Sequence, residues 1–138
     1  PNMLLCVLPG RNEELRRTLE ARYRREEVLM VPFTDQVDLY MRAADVLLSK
    51  AGGISSSEAG VLGVPLVHTM AIPGVETLNA AFFESHGLSL FAGSAEEAAR
   101  CADRLVYDGR RSAGMLAAQA RELPGDGAAR VADRLEGL

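Results

Sequence analysis

Residues 49–79 read SKAGGISSSEAGVLGVPLVHTMAIPGVETLN, and their reading decides the fold. An apolar run closing at Ser49 predicts a strand, Lys50-Ala51-Gly52-Gly53 a glycine turn, and the residues from Ser55 onward a helix. Val64 to His68 then predicts a second strand opened by Pro65, Pro73-Gly74 a loop, and Leu78, Ala81 and Phe82 the apolar side of a second helix. A glycine turn feeding a helix is an anion site. Glycine lets backbone approach a ligand closely, and the helix start offers unpaired N–H groups and a partial positive charge. Phosphate is the natural guest.

The same alternation extends in both directions. Upstream, LLCVL (residues 4–8) and VLMVPF (residues 28–33) predict strands, with Leu15, Leu19 and Tyr23 forming an i, i+4, i+8 stripe between them. Asp35 is placed to cap a short helix carrying Val37, Tyr40, Met41 and Ala44, and DVLLS (residues 45–49) predicts a buried strand. Downstream, residues 88–91 predict a last strand. Beyond it the pattern is helical, interrupted at Gly109 and at Pro124-Gly125-Asp126-Gly127. Near-continuous apolar strands alternating with helices imply an α/β fold: a parallel sheet covered by helices on both faces, with right-handed crossovers and a helical C-terminus. Ligands in such sheets sit beyond the carboxyl ends of the strands. Three loops leave those ends, at residues 32–35, 50–55 and 70–76, and are expected to converge on one crevice.

With 138 residues and 48% hydrophobic content, the chain is read as one domain over 1–138, and no apolar run is long enough to span a bilayer. A net charge of −4 and a pI near 5.2 argue against nucleic acid as a partner, which calls for a surplus of Lys and Arg. Cys6 and Cys101 show no metal or redox spacing and are expected to be buried, reduced thiols, so neither a metal nor a cofactor is predicted. Arg11, Arg16, Arg17, Arg22, Arg24 and Arg25 interleave with Glu13, Glu14, Glu20, Glu26 and Glu27, the pattern of a solvated helix with i, i+4 pairs. A start at Pro1, close to the first strand, predicts an excised piece of a longer protein.

Within the glycine turn, the sequence departs from both the dinucleotide fingerprint and the nucleoside-triphosphate loop, which sets aside hydride transfer and ATP hydrolysis. A plain turn remains the alternative to a phosphate cradle. Ser55-Ser56-Ser57-Glu58 fits a capping box, with Ser55 as cap and Glu58 reaching back to it. It also places Glu58 one turn beyond the glycines, where a carboxylate can accept both hydroxyls of a ribose. Glu76 and Asn79 stand one turn apart at a helix start, either facing a sugar or simply wet. His68 and His86 read as structural.

GRNEELRRTLE, PFTDQVDLYMRAADVLLSKAGGISSSEAGVLGVPLV and IPGVETLNAAFFESHG together resemble the C-terminal, donor-binding half of the GT-B glycosyltransferases of family 28, a Rossmann-like fold. The nearest resemblance is to processive diacylglycerol glucosyltransferases and monogalactosyldiacylglycerol synthases. The N-acetylglucosaminyltransferase of peptidoglycan lipid synthesis resembles the chain less, because it lacks the Pro73-Gly74 loop. A non-catalytic nucleotide-sugar-binding subunit is the alternative outside the enzymes.

The resemblance implies a UDP-sugar donor, with uracil held by backbone around Phe33 and Thr34, the diphosphate by Lys50 and the Gly52-Gly53-Ile54-Ser55 turn, and the ribose by Glu58. Glu76 and Asn79 would face the sugar, with Gly74 and Val75 beside them in the donor site. Val75 stands where these enzymes commonly carry Gln, leaving the hexose open. It further implies inverting transfer to a membrane lipid, with the general base and lipid site in an N-terminal domain, a cytoplasmic location peripheral to the membrane, and no turnover by this chain alone. A strand-helix unit that normally precedes LLCVLPGRN is missing. The flanking strands must then pair directly, accept an edge from another copy and so self-associate, or belong to a longer sequence.

Overall fold

The computed structural model describes residues 3–23 and 26–137. Among the described residues, twelve elements follow one another: β1 (Leu5–Val7), α1 (Glu13–Arg22), β2 (Val28–Met30), α2 (Val37–Ala43), β3 (Leu47–Lys50), α3 (Gly53–Leu62), β4 (Leu66–Met70), α4 (Val75–Ser85), β5 (Leu90–Phe91), α5 (Ala95–Tyr107), α6 (Gly109–Glu122) and α7 (Gly127–Glu136). All strand pairs are parallel, in two ladders ordered β1-β2 and β3-β4-β5. The chain divides into two compact units, Pro1–Val37 and Asp38–Leu138.

The first unit is a strand, helix and parallel strand. Asn12 caps α1 by accepting from the Leu15 N–H at 3.0 Å. Arg16 pairs with Glu13 at 2.8 Å and Glu20 at 2.7 Å, the expected solvated face; Arg24 and Arg25 lie outside the described residues. The strands are not the buried runs their composition suggests. Leu5 and Leu29 are exposed, and so is Cys6, which was expected inside. A two-stranded ladder backed by one helix with no buried residue supplies too little surface to cover them.

The second unit holds the core, organised by β4. Leu66 joins Met41, Ala59, Val64, Phe83, Leu88 and Ala118, whereas the next residue, Val67, joins Ala92, Ala98, Leu105 and Met115. Successive side chains of a strand point to opposite faces, so helices cover both sides of this sheet. Burying Leu66 and Val67 completely stabilises the fold by about 1.5–3 kcal/mol each. β3 departs from the expected buried strand: it is an edge of its ladder, and Leu48 is exposed. Cys101 is half-buried beside the second cluster. Gln119 of α6 reaches in and donates to the carbonyls of Val64 at 3.1 Å and Leu88 at 2.9 Å, tying α6 to the segments that lead into β4 and β5. Among the described residues, no helix is long and apolar enough to cross a membrane.

Candidate functional site

The carboxyl ends of β3 and β4 bring together two of the three predicted loops. The ladder slips at Ser49 and Lys50, which re-aims the chain as it leaves the sheet. Ala51, fully buried, donates its N–H to the Met70 carbonyl at 3.0 Å, and the Gly52 N–H turns back to the Lys50 carbonyl at 2.8 Å. α3 then starts at Gly53 with Gly52 as its N-cap and no side chain capping it. The N–H groups of Gly53, Ile54 and Ser55, which precede the first intrahelical bond from Ser56 to Gly52, are left open.

This start overturns the capping-box reading of Ser55 and Glu58. The tight turn at Gly52 begins the helix two residues before Ser55, so Ser55 lies inside it and no acidic residue falls in the first turn. Glu58 belongs to the second turn and its side chain is exposed.

The opposite wall is the start of α4. Its N-cap is Gly74, at φ 108°. Lys50 Nζ lies 2.7 Å from Glu76 Oε1, and Glu76 Oε2 accepts from the Ile72 N–H at 3.0 Å. The Lys50 hydrogen bond, followed by that from Ile72, holds the Glu76 carboxyl below the usual carboxylate range. The ammonium is the more open partner, 60% exposed against 14% for the carboxylate, and one hydrogen bond leaves it further donors. Asn79 Nδ2 donates to the Ala51 carbonyl at 3.1 Å. Lys50, Gly52, Gly53, Glu76 and Asn79 therefore share one site. A Cβ built on Gly52 would stand 3.7 Å from Lys50 Cε and 4.0 Å from Glu76 Oε1, and one on Gly53 would stand 3.6 Å from Asn79 Nδ2. Ile54 and Val75 form an exposed apolar rim, at 78% and 75%.

Phe33 and Thr34 belong to the first unit. The Arg11 guanidinium lies 4.4 Å from the centre of the exposed Phe33 ring, and the Thr34 hydroxyl accepts from the Gln36 N–H at 3.0 Å. Thr34, rather than the anticipated Asp35, thus provides the side-chain bond ahead of α2. Among the described residues no group of three or more His, Cys, Asp or Glu side chains could hold a metal ion.

Sequence reasoning missed one buried group. Ser56 Oγ lies 2.9 Å from His68 Nε2, and Ser89 Oγ lies 3.2 Å from His68 Nδ1. All three residues are buried, and burial pushes the His68 imidazole below its ordinary pKa. A histidine in an apolar strand was the only available signal, and its partners are 12 and 21 residues away.

The chain is 32% identical over 109 residues to the processive diacylglycerol beta-glucosyltransferase of Staphylococcus carnosus, covering 78% of this chain and 28% of that protein. The Staphylococcus epidermidis protein of the same name is 31% identical over 99 residues, covering 71% and 25%. The chain thus spans little more than a quarter of the length of these relatives. Anabaena HepE in complex with UDP shares the fold with a TM-score of 0.67 and 16% identity, over 100% of this chain and 42% of that one. WaaG, a glycosyltransferase involved in lipopolysaccharide biosynthesis, does so with a TM-score of 0.65 and 24% identity, over 91% and 35%. Residues 4–134, which run through both units and every site residue above, match the glycosyltransferase family 28 C-terminal domain, and the chain belongs to that family.

Proposed function

We propose that the chain is the donor-binding domain of an inverting glycosyltransferase that transfers a hexose from a UDP-sugar to a diacylglycerol-type lipid. The observation that carries this reading is the pairing of an uncapped helix start at Gly52-Gly53 with the Lys50 ammonium, both fastened to the start of α4 through Glu76 and Asn79. A diphosphate seated there accepts the open N–H groups of Gly53, Ile54 and Ser55 and faces Lys50. Charge growing on the departing UDP is stabilised by the same donors, which are in place before reaction and need no reorganisation.

Glu58, exposed one turn further on, takes the ribose hydroxyls. Gly74, Val75, Glu76 and Asn79 face the hexose. Two comparisons support the reading: HepE, of the same fold, is known in complex with UDP, and the Staphylococcus relatives bear the name of diacylglycerol glucosyltransferases. The acceptor site and general base belong to parts of the full-length enzyme outside these residues, and association with the membrane surface follows from the lipid acceptor.

Calorimetric titration of UDP into the chain and its Glu58→Ala variant tests the site. Losing two hydrogen bonds to a charged acceptor weakens UDP binding by at least about tenfold. Equal affinities would remove Glu58 from the ribose position.

A further inference from the structure

His68 is the one fully buried imidazole of the second unit, and it touches both α3 and α4, the helices whose starts form the walls of the site. From β4 its Nε2 reaches Ser56 of α3 at 2.9 Å, and its Nδ1 reaches Ser89, just before β5, at 3.2 Å. The edge of its ring meets Phe83 of α4, with centroids 5.4 Å apart. A neutral imidazole accepts at one nitrogen and donates at the other, and each serine hydroxyl can do either, so both ring nitrogens are paired. Ser56 is held from both sides: its N–H donates to the Gly52 carbonyl at 3.1 Å while its hydroxyl is bonded to the sheet through His68. The carbonyl of the N-cap glycine is thereby connected, through one residue, to the middle of the core.

We propose that His68 is a positioning residue for the nucleotide: through Ser56 it fixes the rotation of the first turn of α3, and through Phe83 it seats α4, so that the glycine turn and the Glu76 and Asn79 wall are aligned before the donor arrives. This rests on the reading of the glycine turn as the diphosphate site. An apolar contact at Ser56 would hold the helix against the sheet but would not set its rotation, because only a hydrogen bond is directional. Alignment set in advance raises affinity by removing the ordering otherwise needed on binding.

The test compares Ser56→Thr with Ser56→Val, which have the same shape and differ in the hydroxyl, so that the ratio between them cancels the effect of the added methyl. With UDP-glucose as the probe and both variants folded at the assay temperature, the valine variant binds about tenfold more weakly than the threonine variant. Equal affinities overturn the proposal. A second measurement needs no variant: ring 15N resonances of His68 in the wild-type chain shift on saturation with UDP-glucose, together with the amides of Gly52 and Gly53. Amides that move while the ring stays still overturn the positioning role alone. Wild-type chain that does not bind UDP-glucose overturns the donor reading, and the positioning role with it.

Discussion

At Gly52 the proposed diphosphate site is backbone rather than side chain. The glycine's φ of −74° is open to any residue, and a Cβ there would make only ordinary contacts with Lys50 and Glu76. The fold therefore does not require glycine at this position; the proposed approach of a diphosphate would. Gly52→Ala is expected to lower the thermal midpoint by no more than about 4 °C, the scale of a less favourable N-cap. If the glycine turn seats the diphosphate as proposed, UDP affinity is expected to fall about tenfold, because the added methyl stands beside Lys50 and Glu76 and at least one charge-assisted bond is lost. Calorimetry and a melting curve on the same preparation check both halves.

At the scale of the element, the two ends of α3 differ. Its first turn is open, whereas its far end is closed by Gly63, at φ 69° and ψ 48°, whose N–H returns to the carbonyls of Ala59 and Gly60. Nothing lies near a Cβ built on Gly63, so substitution there is a matter of backbone conformation alone. Gly63→Ala is expected to cost about 1 kcal/mol, because the left-handed region penalises a side chain, and to leave UDP affinity unchanged. Urea denaturation with a parallel UDP titration separates the two. Midway along α3, a Cβ on Gly60 would overlap Leu123, which explains how α6 packs closely enough for Gln119 to reach the sheet.

For the whole molecule, the buried imidazole links stability to pH. The groups facing His68 are Ser56 of α3, Ser89 ahead of β5 and the Phe83 ring of α4, and the depression of its pKa comes from burial alone. The unfolded chain binds a proton near the ordinary histidine value of about 6.5, whereas the folded chain resists until a lower pH. Its contribution is therefore complete above about pH 6.5 and is lost as pH falls through that value towards the folded one. The carboxylate of Glu76, also depressed when folded, acts in the same direction but only below the usual carboxylate range. Urea midpoints measured between pH 7.5 and 5 are expected to fall in the wild-type chain and to fall less in His68→Gln; parallel slopes would remove His68 from the account.

The order of elements, the parallel pairing and the glycine turn were legible in sequence because they depend on local chemistry: apolar period, turn residues and breakers within a few positions of one another. The pairing of Glu76 with Lys50 and of Asn79 with the Ala51 carbonyl was legible only as a neighbourhood, inferred from loops leaving the same end of a sheet. What local reading got wrong depended on surroundings. Cys6, Leu5 and Leu48 look like core by composition, but burial is decided by how many layers cover a strand, and β1 and β3 lie in or at the edge of small ladders. Ser55 looks like a cap, yet the hydrogen bond from Gly52 to Lys50 starts the helix earlier. Sequence by itself determined the fold class and the family, since both reside in short-range patterns. Tertiary structure alone decided the partners of Ser56, His68 and Ser89, because a hydrogen bond between distant residues exists only once packing has excluded water and brought them within about 3 Å.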